Sequence, residues 1–239
     1  MWRPLAAVLA PHFTVIAPDL PGIGNSAIPA EGLDMTTSAR RVRDAIHSLG
    51  YGKVRVVGHD IGLMVAYAYA ALYPAEVERL ALMDAFLPGV QGWETIYNDS
   101  HFWHFRFYGP TPLALVKSRE RLYFDYFWND FAADATRSIP EADRRGYVQA
   151  YSRPGRMAAG FAYFASFQTT AADFAKMSET RLAIPVLTIG GDKSLGAPLG
   201  AQGKVVASDV TVVVLKNCGH WLMEERPRET IAALVRFLQ

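Results

Sequence analysis

Short hydrophobic runs rich in β-branched residues alternate with segments of helical spacing in both halves of the chain. The predicted buried strands are Phe13–Ala17, Val54–Val57, Leu80–Met83, Pro185–Ile189 and Val210–Leu215. The predicted helices are Leu5–Leu9, Thr36–Leu49 with Thr36 or Thr37 as N-cap, Leu63–Tyr73 and Glu229–Leu238. Strands that alternate with helices at this spacing predict an α/β fold built on a parallel sheet with both faces covered.

The alternation stops after Pro88 and resumes only near residue 182. Of the 29 aromatic residues in the chain, 20 lie between Trp93 and Phe174, in a stretch with helical runs and no clear buried strand. We interpret this stretch as a helical insertion. The predicted organisation is therefore a core of residues 1–88 and 182–239 with a helical cap of residues 89–181.

Composition narrows the functional classes. The chain has 239 residues, 51% of them hydrophobic, with 24 Lys and Arg against 23 Asp and Glu, for a net charge of +1. This balance argues against binding to nucleic acid or to a membrane surface through charge. No hydrophobic run reaches the ~18 residues that span a membrane, and the single cysteine, Cys218, excludes an intramolecular disulfide. We expect a cytoplasmic enzyme without metal or cofactor, and a homodimer is compatible with the composition.

The candidate chemistry begins at Gly58-His59-Asp60-Ile61-Gly62, between a predicted strand and a predicted helix. A strand, a sharp turn with flanking glycines and a helix form a nucleophile elbow, which exposes its central side chain at the carboxyl edge of the sheet. Here that residue is Asp60, and a carboxylate can attack an alkyl carbon to form an ester. Asp60 as an N-cap of the following helix is an equally good interpretation of this segment alone.

A histidine supplies the second group. His220 lies in Asn217-Cys218-Gly219-His220-Trp221, after the last predicted strand, so it reaches the same edge of the sheet as Asp60. An imidazole there could deprotonate the water that cleaves the ester. The alternative is a partly buried structural histidine. A carboxylate should orient the ring, and Asp84 and Asp192 both follow strands at this edge, although either is also suited to a turn.

These motifs, together with Asp19-Leu20-Pro21-Gly22-Ile23-Gly24-Asn25-Ser26, resemble the α/β-hydrolase superfamily in its epoxide hydrolase and haloalkane dehalogenase branch. The resemblance covers nearly the whole chain. It implies Asp60 as nucleophile, His220 as general base and the Ile61 backbone N–H as an oxyanion donor. It also favours Asp84 over Asp192 as the third member of the triad.

The resemblance also bears on the substrate. Related dehalogenases carry Trp after the nucleophile, or Arg there and three residues later, whereas this chain has Ile61 and Met64. Related epoxide hydrolases protonate the opened ring from cap residues, and His104 matches one such position. The usual tyrosine position falls on Phe164, with Tyr163 beside it. The resemblance therefore implies epoxide hydrolysis of a small apolar or aromatic substrate, with His104 and Tyr163 as proton donors.

One family feature has no counterpart in this chain. Members of the family carry a strand and a His-Gly-x-Pro loop, which supplies a second oxyanion donor, before the region that resembles Met1-Trp2-Arg3-Pro4. We therefore expect a sheet truncated at its N-terminal side, either because Met1 is internal to a longer gene or because the segment is truly lacking. Two alternatives to epoxide hydrolysis follow: a dehalogenase with the same nucleophile, and a weakly active or non-catalytic member of the fold.

Overall fold

The computed structural model describes residues 1–239 as a sheet with helices on both faces. The strands are β1 (Val54–His59), β2 (Val77–Met83), β3 (Leu182–Gly191) and β4 (Ala207–Leu215). The helices are α1 (Arg3–Leu9), α2 (Met35–Ser48), α3 (Ile61–Leu72), α4 (Trp93–Asn98), α5 (Pro110–Val116), α6 (Glu120–Asp130), α7 (Glu141–Tyr151), α8 (Arg156–Ala165), α9 (Phe167–Met177), α10 (Gly196–Val206), α11 (Leu222–Glu225) and α12 (Pro227–Leu238). Short 3₁₀ segments cover Pro74–Glu76, Ser100–Arg106 and Ala135–Arg137.

All four strands run parallel, in the order β1-β2-β3-β4. This confirms the parallel α/β sheet predicted from the alternation of strands and helices. Each strand extends two to five residues beyond its hydrophobic run. Helix α2 begins one residue before the expected N-caps, because the Asp34 side chain accepts a hydrogen bond from the Thr37 N–H at 2.7 Å. The prediction of Thr36 or Thr37 as N-cap was therefore wrong.

The strand predicted at residues 13–17 does not form. Residues 14–17 make no hydrogen bond to another backbone group, and β1 is the edge strand on its side of the sheet. Phe13–Ala17 and β1 line the same cleft and do not pair with each other. A β-branched run favours extended backbone, but a strand also needs a neighbouring backbone to bond with.

Alternate residues of the central strands supply two hydrophobic clusters. Leu80 and Leu82 of β2 join the larger cluster, with α3, α9 and residues that follow β2. Ala81 and Met83 join the smaller cluster, with α1, α11 and α12. This alternation follows from the two-residue period of a strand and explains why β2 is hydrophobic at every position that it buries.

Six α-helices, α4 to α9, lie between β2 and β3, and no strand interrupts them. Their aromatic side chains pack closely; Phe102 stacks on Phe105 with ring centroids 5.2 Å apart, and Phe105 lies 5.2 Å from Phe167. The division into a core and a cap of residues 89–181 stays a prediction, although the helical segment coincides with it. None of the helices combines the length and the hydrophobicity that a membrane span requires.

Candidate active site

The backbone conformation of Asp60 is unusual and defines the turn between β1 and α3. Its φ is 54° and its ψ is −125°, in a region that residues other than glycine rarely adopt. Such conformations cost about 1–3 kcal/mol and cluster at functional sites. A Cβ added to Gly58 would lie 2.1 Å from the Gly62 carbonyl oxygen, so the turn requires glycine there. A Cβ at Gly62 would meet nothing within 4 Å, so space alone does not require the second glycine.

The Asp60 side chain faces the cleft and does not cap the helix. It forms no capping hydrogen bond to the first turn of α3, and 49% of its surface is accessible. The N-cap alternative therefore has no support in the contacts. The Ile61 N–H, at the start of α3, bonds to no backbone carbonyl and acts on the Asp60 carboxylate, whose pKa it lowers. Its role as an oxyanion donor stays a prediction.

The structure brings His220 and Asp84 together with Asp60. The His220 Nε2 atom lies 3.9 Å from the Asp60 Oδ2 atom, and the His220 Nδ1 atom lies 3.5 Å from the Asp84 Oδ2 atom. Asp84 is fully buried directly after β2, and its Oδ1 atom accepts a hydrogen bond from the Leu195 N–H at 2.9 Å. The Asp60 carboxylate thus faces the cleft, and the Asp84 carboxylate is buried on the opposite side of the His220 ring.

Asp192, the other candidate for the acid, lies apart from the imidazole. Its Oδ1 atom accepts a hydrogen bond from the Cys218 N–H at 3.2 Å, and no contact joins it to His220. Asp192 therefore holds the backbone of the loop that carries His220. A hydrogen bond from a loop backbone is typical of a turn residue, which is the alternative role that the sequence analysis gave for both Asp84 and Asp192.

Neighbouring charges and burial shift the pKa values of His220 and Asp60. Burial lowers the pKa of the His220 imidazole, but the Asp84 carboxylate and then the Asp60 charge outweigh burial and raise it above its ordinary value. Enclosure of the site raises the pKa of the Asp60 carboxyl, His220 opposes this shift, and the charge of Asp84 adds to it. The result is a base whose proton affinity is set by two carboxylates on opposite sides of its ring.

His59, which the sequence analysis did not select, packs against His220. It is buried, its ring centroid lies 4.4 Å from that of His220, and its Nε2 atom lies 2.8 Å from the His220 carbonyl oxygen. Burial, and then the charge of His220, lower the pKa of His59 well below its usual range. A neutral His59 can donate to that carbonyl and hold the loop in place. Only its position beside Asp60 in the sequence could have suggested this role.

His104 lies in an aromatic cluster on the cap side of the site. Its ring centroid is 4.8 Å from that of Phe127, 5.3 Å from that of Phe164 and 5.5 Å from that of Phe131. The Nδ1 atom is buried without a hydrogen-bond partner. Burial, followed by the charge of His220, lowers the pKa of His104 to about 3. The imidazole is therefore neutral near pH 7 and carries a single N–H.

Tyr163 is nearly fully buried and its hydroxyl is already occupied. It donates a hydrogen bond to the Pro21 carbonyl at 2.9 Å and lies 3.3 Å from the Ser38 hydroxyl. These contacts tie α8 to the loop that follows Phe13–Ala17 and to α2. The role of Tyr163 as a proton donor stays a prediction, and it requires the hydroxyl to leave Pro21.

A cleft of about 870 Å³ opens over Asp60 and continues along the free edge of β1. Most of its lining residues are hydrophobic. The cap contributes aromatic side chains from α6, α7 and α8, namely Tyr123, Phe124, Phe127, Trp128, Tyr147, Tyr151, Phe161, Tyr163 and Phe164. No group of three or more His, Cys, Asp or Glu side chains is placed to hold a metal ion. Such a cleft suits a hydrophobic molecule, with Asp60 among the few polar groups that line it.

Comparison with known proteins places this geometry in a family. Residues 1–227 match the family model described as alpha/beta hydrolase fold. The chain is 34% identical over 244 residues to a soluble epoxide hydrolase from Corynebacterium sp. (strain C12), covering 99% of this chain and 84% of that protein.

Two solved structures extend the comparison. The epoxide hydrolase CorEH superposes with a TM-score of 0.90 at 32% identity, covering 99% of this chain and 86% of that chain. Cfl2 from Burkholderia cenocepacia superposes with a TM-score of 0.89 at 31% identity, covering 100% of this chain and 83% of that chain. The chain therefore belongs to the alpha/beta hydrolase family, in the branch that contains the epoxide hydrolases, and is a hydrolase enzyme.

Proposed function

We propose that this hydrolase opens epoxides to diols through a covalent ester on Asp60. A carboxylate oxygen of Asp60 attacks a ring carbon, the carbon–oxygen bond of the ring breaks, and the resulting alkoxide takes up a proton. His220 then removes a proton from water, and the hydroxide attacks the carbonyl carbon of the ester. The ester oxygen leaves as an alkoxide and takes the proton held by His220. The Asp60 carboxylic acid then releases one proton to solvent, which balances the proton taken up by the first alkoxide and returns Asp60 to its ionised form.

The observation that carries the proposal is the position of His220 between two carboxylates. The 3.9 Å separation between its Nε2 atom and the Asp60 Oδ2 atom exceeds hydrogen-bonding distance. The imidazole can therefore serve the water that attacks the ester rather than Asp60 itself. Asp84 stabilises the imidazolium that forms when the water loses its proton.

His104 is the group we propose to assist ring opening. A neutral imidazole cannot deliver a proton as an imidazolium does, but its N–H can donate a hydrogen bond to the developing alkoxide. Hydrogen-bond donation to a developing oxyanion at such a position is worth about 10²–10³ in rate. We expect His104→Phe to slow formation of the ester on Asp60, and diol formation with it, without slowing hydrolysis of the ester. Undiminished diol formation by this variant would remove His104 from the mechanism.

The hydrophobic cleft supports an aryl or medium-sized apolar epoxide as substrate. Ile61 offers no side-chain donor for a leaving halide, and Met64 is buried and uncharged, so neither side chain favours dehalogenation. A parallel assay of aryl epoxides and haloacetates, following diol and halide release, separates the two reactions. Halide release without diol formation would refute the epoxide assignment.

Intact mass spectrometry tests the covalent step directly. The wild type, Asp60→Asn and His220→Ala are mixed with a reactive aryl epoxide and quenched in acid. We expect the His220 variant to accumulate an adduct of substrate mass, because the base for ester hydrolysis is gone. An adduct that forms equally on Asp60→Asn would place the nucleophile elsewhere.

A further inference from the structure

Glu225 is a buried carboxylate that the proposed chemistry does not use. It ends the short helix α11, and only 4% of its surface is accessible. Its Oε2 atom accepts hydrogen bonds from the Gly219 N–H at 3.1 Å and the Ala133 N–H at 2.8 Å. Its Oε1 atom accepts from the Trp221 N–H at 3.2 Å. The carboxylate therefore holds the residues on both sides of His220 and, through Ala133, a loop of the helical segment above them.

Further contacts join the same two loops. The His220 N–H donates to the Phe131 carbonyl at 2.8 Å, and the Trp221 indole N–H donates to the Phe127 carbonyl at 3.0 Å. A Cβ added to Gly219 would lie 2.4 Å from that Phe131 oxygen, so glycine is required for the close approach. The loop that carries the base and the loop after α6 form one hydrogen-bonded unit, with Glu225 at its centre.

The charge of Glu225 has no cationic partner within this unit. The structure contains no ion pair to Glu225, and the adjacent Arg226 guanidinium donates to the Lys216 and Asn217 carbonyls at 2.9 and 2.8 Å. Backbone N–H groups alone satisfy the carboxylate. Hydrogen bonds to an ionised acceptor are about twice as strong as those between neutral groups, so this unit is held firmly.

Resting on the ester mechanism proposed above, we propose that Glu225 is a positioning residue that makes the placement of His220 depend on the seating of the helical cap. With Ala133 seated, the carboxylate fixes the backbone on both sides of His220, and the ring meets Asp84 and faces Asp60. When the loop after α6 moves away from the His220 loop, Glu225 loses the Ala133 N–H as a donor and the backbone N–H of His220 loses the Phe131 carbonyl as its acceptor. Hydrolysis of the ester then requires the loop to be seated, because it uses His220, whereas attack by Asp60 does not use His220.

The charges around His220 determine the expected pH effect. Asp84 and Asp60 face its two ring nitrogens, and Glu225 adds a weaker negative charge from α11; all three raise its pKa, against the burial that lowers it. The neighbouring imidazoles, His59 and His104, are neutral near pH 7 because their pKa values are lowered. Removal of the Glu225 charge should therefore lower the pKa of His220.

The test compares Glu225→Gln with a control variant, Glu229→Gln. Glu229 is an exposed carboxylate in the first turn of α12. Quenched-flow mass spectrometry with an aryl epoxide follows formation and loss of the ester separately. For Glu225→Gln we expect ester loss to slow about 10- to 100-fold, ester formation to stay within about two-fold of wild type, and the pH midpoint of ester loss to move to lower pH. Glu229→Gln should match the wild type in all three. Slower formation and loss in equal measure, or an unmoved pH midpoint, would overturn the proposal.

Two further measurements keep the proposal testable if Glu225→Gln does not fold or if no epoxide reacts. Ala133→Pro removes the donor of the cap loop and keeps the carboxylate; it should slow ester loss in the same way, and wild-type ester loss would overturn the proposal. NMR titration of the His220 ring needs no substrate. A lower His220 pKa in Glu225→Gln supports the proposal even if the ester mechanism fails, and an unchanged pKa overturns it.

Discussion

Replacing Asp84 with Asn tests the assignment of the triad most sharply, because Asp192→Asn is a matched control. Both carboxylates follow strands at the same edge of the sheet, and both accept a hydrogen bond from a backbone N–H. Only Asp84 contacts the His220 ring. Asn keeps the size of the side chain and an oxygen for the Leu195 N–H, so the fold should survive the change.

The size of the expected rate loss follows from the distance between the Asp84 carboxylate and the His220 ring. Two unit charges 3.5 Å apart at an effective dielectric constant of ~20 interact with about 5 kcal/mol. Because the imidazolium appears only when His220 removes a proton from water, this energy stabilises the transition state of ester hydrolysis. Loss of most of it slows that step about 10³-fold, similar to the ~10⁴-fold loss for the equivalent change in a Ser-His-Asp triad.

The assay is a single-turnover experiment with an aryl epoxide, in which the ester on Asp60 is followed by intact mass. We expect Asp84→Asn to form the ester at a rate close to that of wild type and to hydrolyse it about 10³-fold more slowly. Asp192→Asn should lose less than about ten-fold, since it holds only the Cys218 backbone. Wild-type hydrolysis by Asp84→Asn, or equal losses in both variants, would refute the assignment.

Three further predictions concern pH, the turn and the cap. The pKa of His220 is raised in the free enzyme, so NMR titration of its ring should give a midpoint above ~6.5, and a lower value would contradict the electrostatics. Ester hydrolysis needs neutral His220 and should slow with decreasing pH through a lower midpoint than this, because esterified Asp60 carries no charge. Gly58→Ala should lower the free energy of unfolding by about 3 kcal/mol or prevent folding, because its Cβ meets the Gly62 carbonyl oxygen, whereas Gly62→Ala should be tolerated; urea titrations compare the two. Tyr163→Phe should lower the free energy of unfolding by about 1 kcal/mol through loss of the bond to Pro21 and, as the hydroxyl is a predicted proton donor, should slow diol formation at least about ten-fold at saturating substrate; unchanged turnover would remove Tyr163 from the reaction and leave only its contact with Pro21.

The local pattern of the sequence determined the order of the elements and the edge at which the chemistry lies. Parallel strands bury both faces, so their hydrophobic runs are continuous and easy to recognise, as at Leu80–Met83. Residues that follow such strands, here Asp60, Asp84 and His220, meet at one edge whatever the details of packing. The separation of the helical segment from the strands was likewise visible in the distribution of aromatic residues.

Tertiary structure alone decided which of these residues touch. Asp84 and Asp192 occupy equivalent positions along the chain, and only the packing of the His220 loop makes Asp84 the neighbour of the ring. The run Phe13–Ala17 has the composition of a strand but remains unpaired, because pairing depends on the backbone beside it. Hydrogen bonds between distant segments, such as those of Glu225 to Ala133 and Gly219, leave no periodic trace in a sequence. Periodicity records which face of an element is buried, whereas these contacts depend on the relative positions of whole elements.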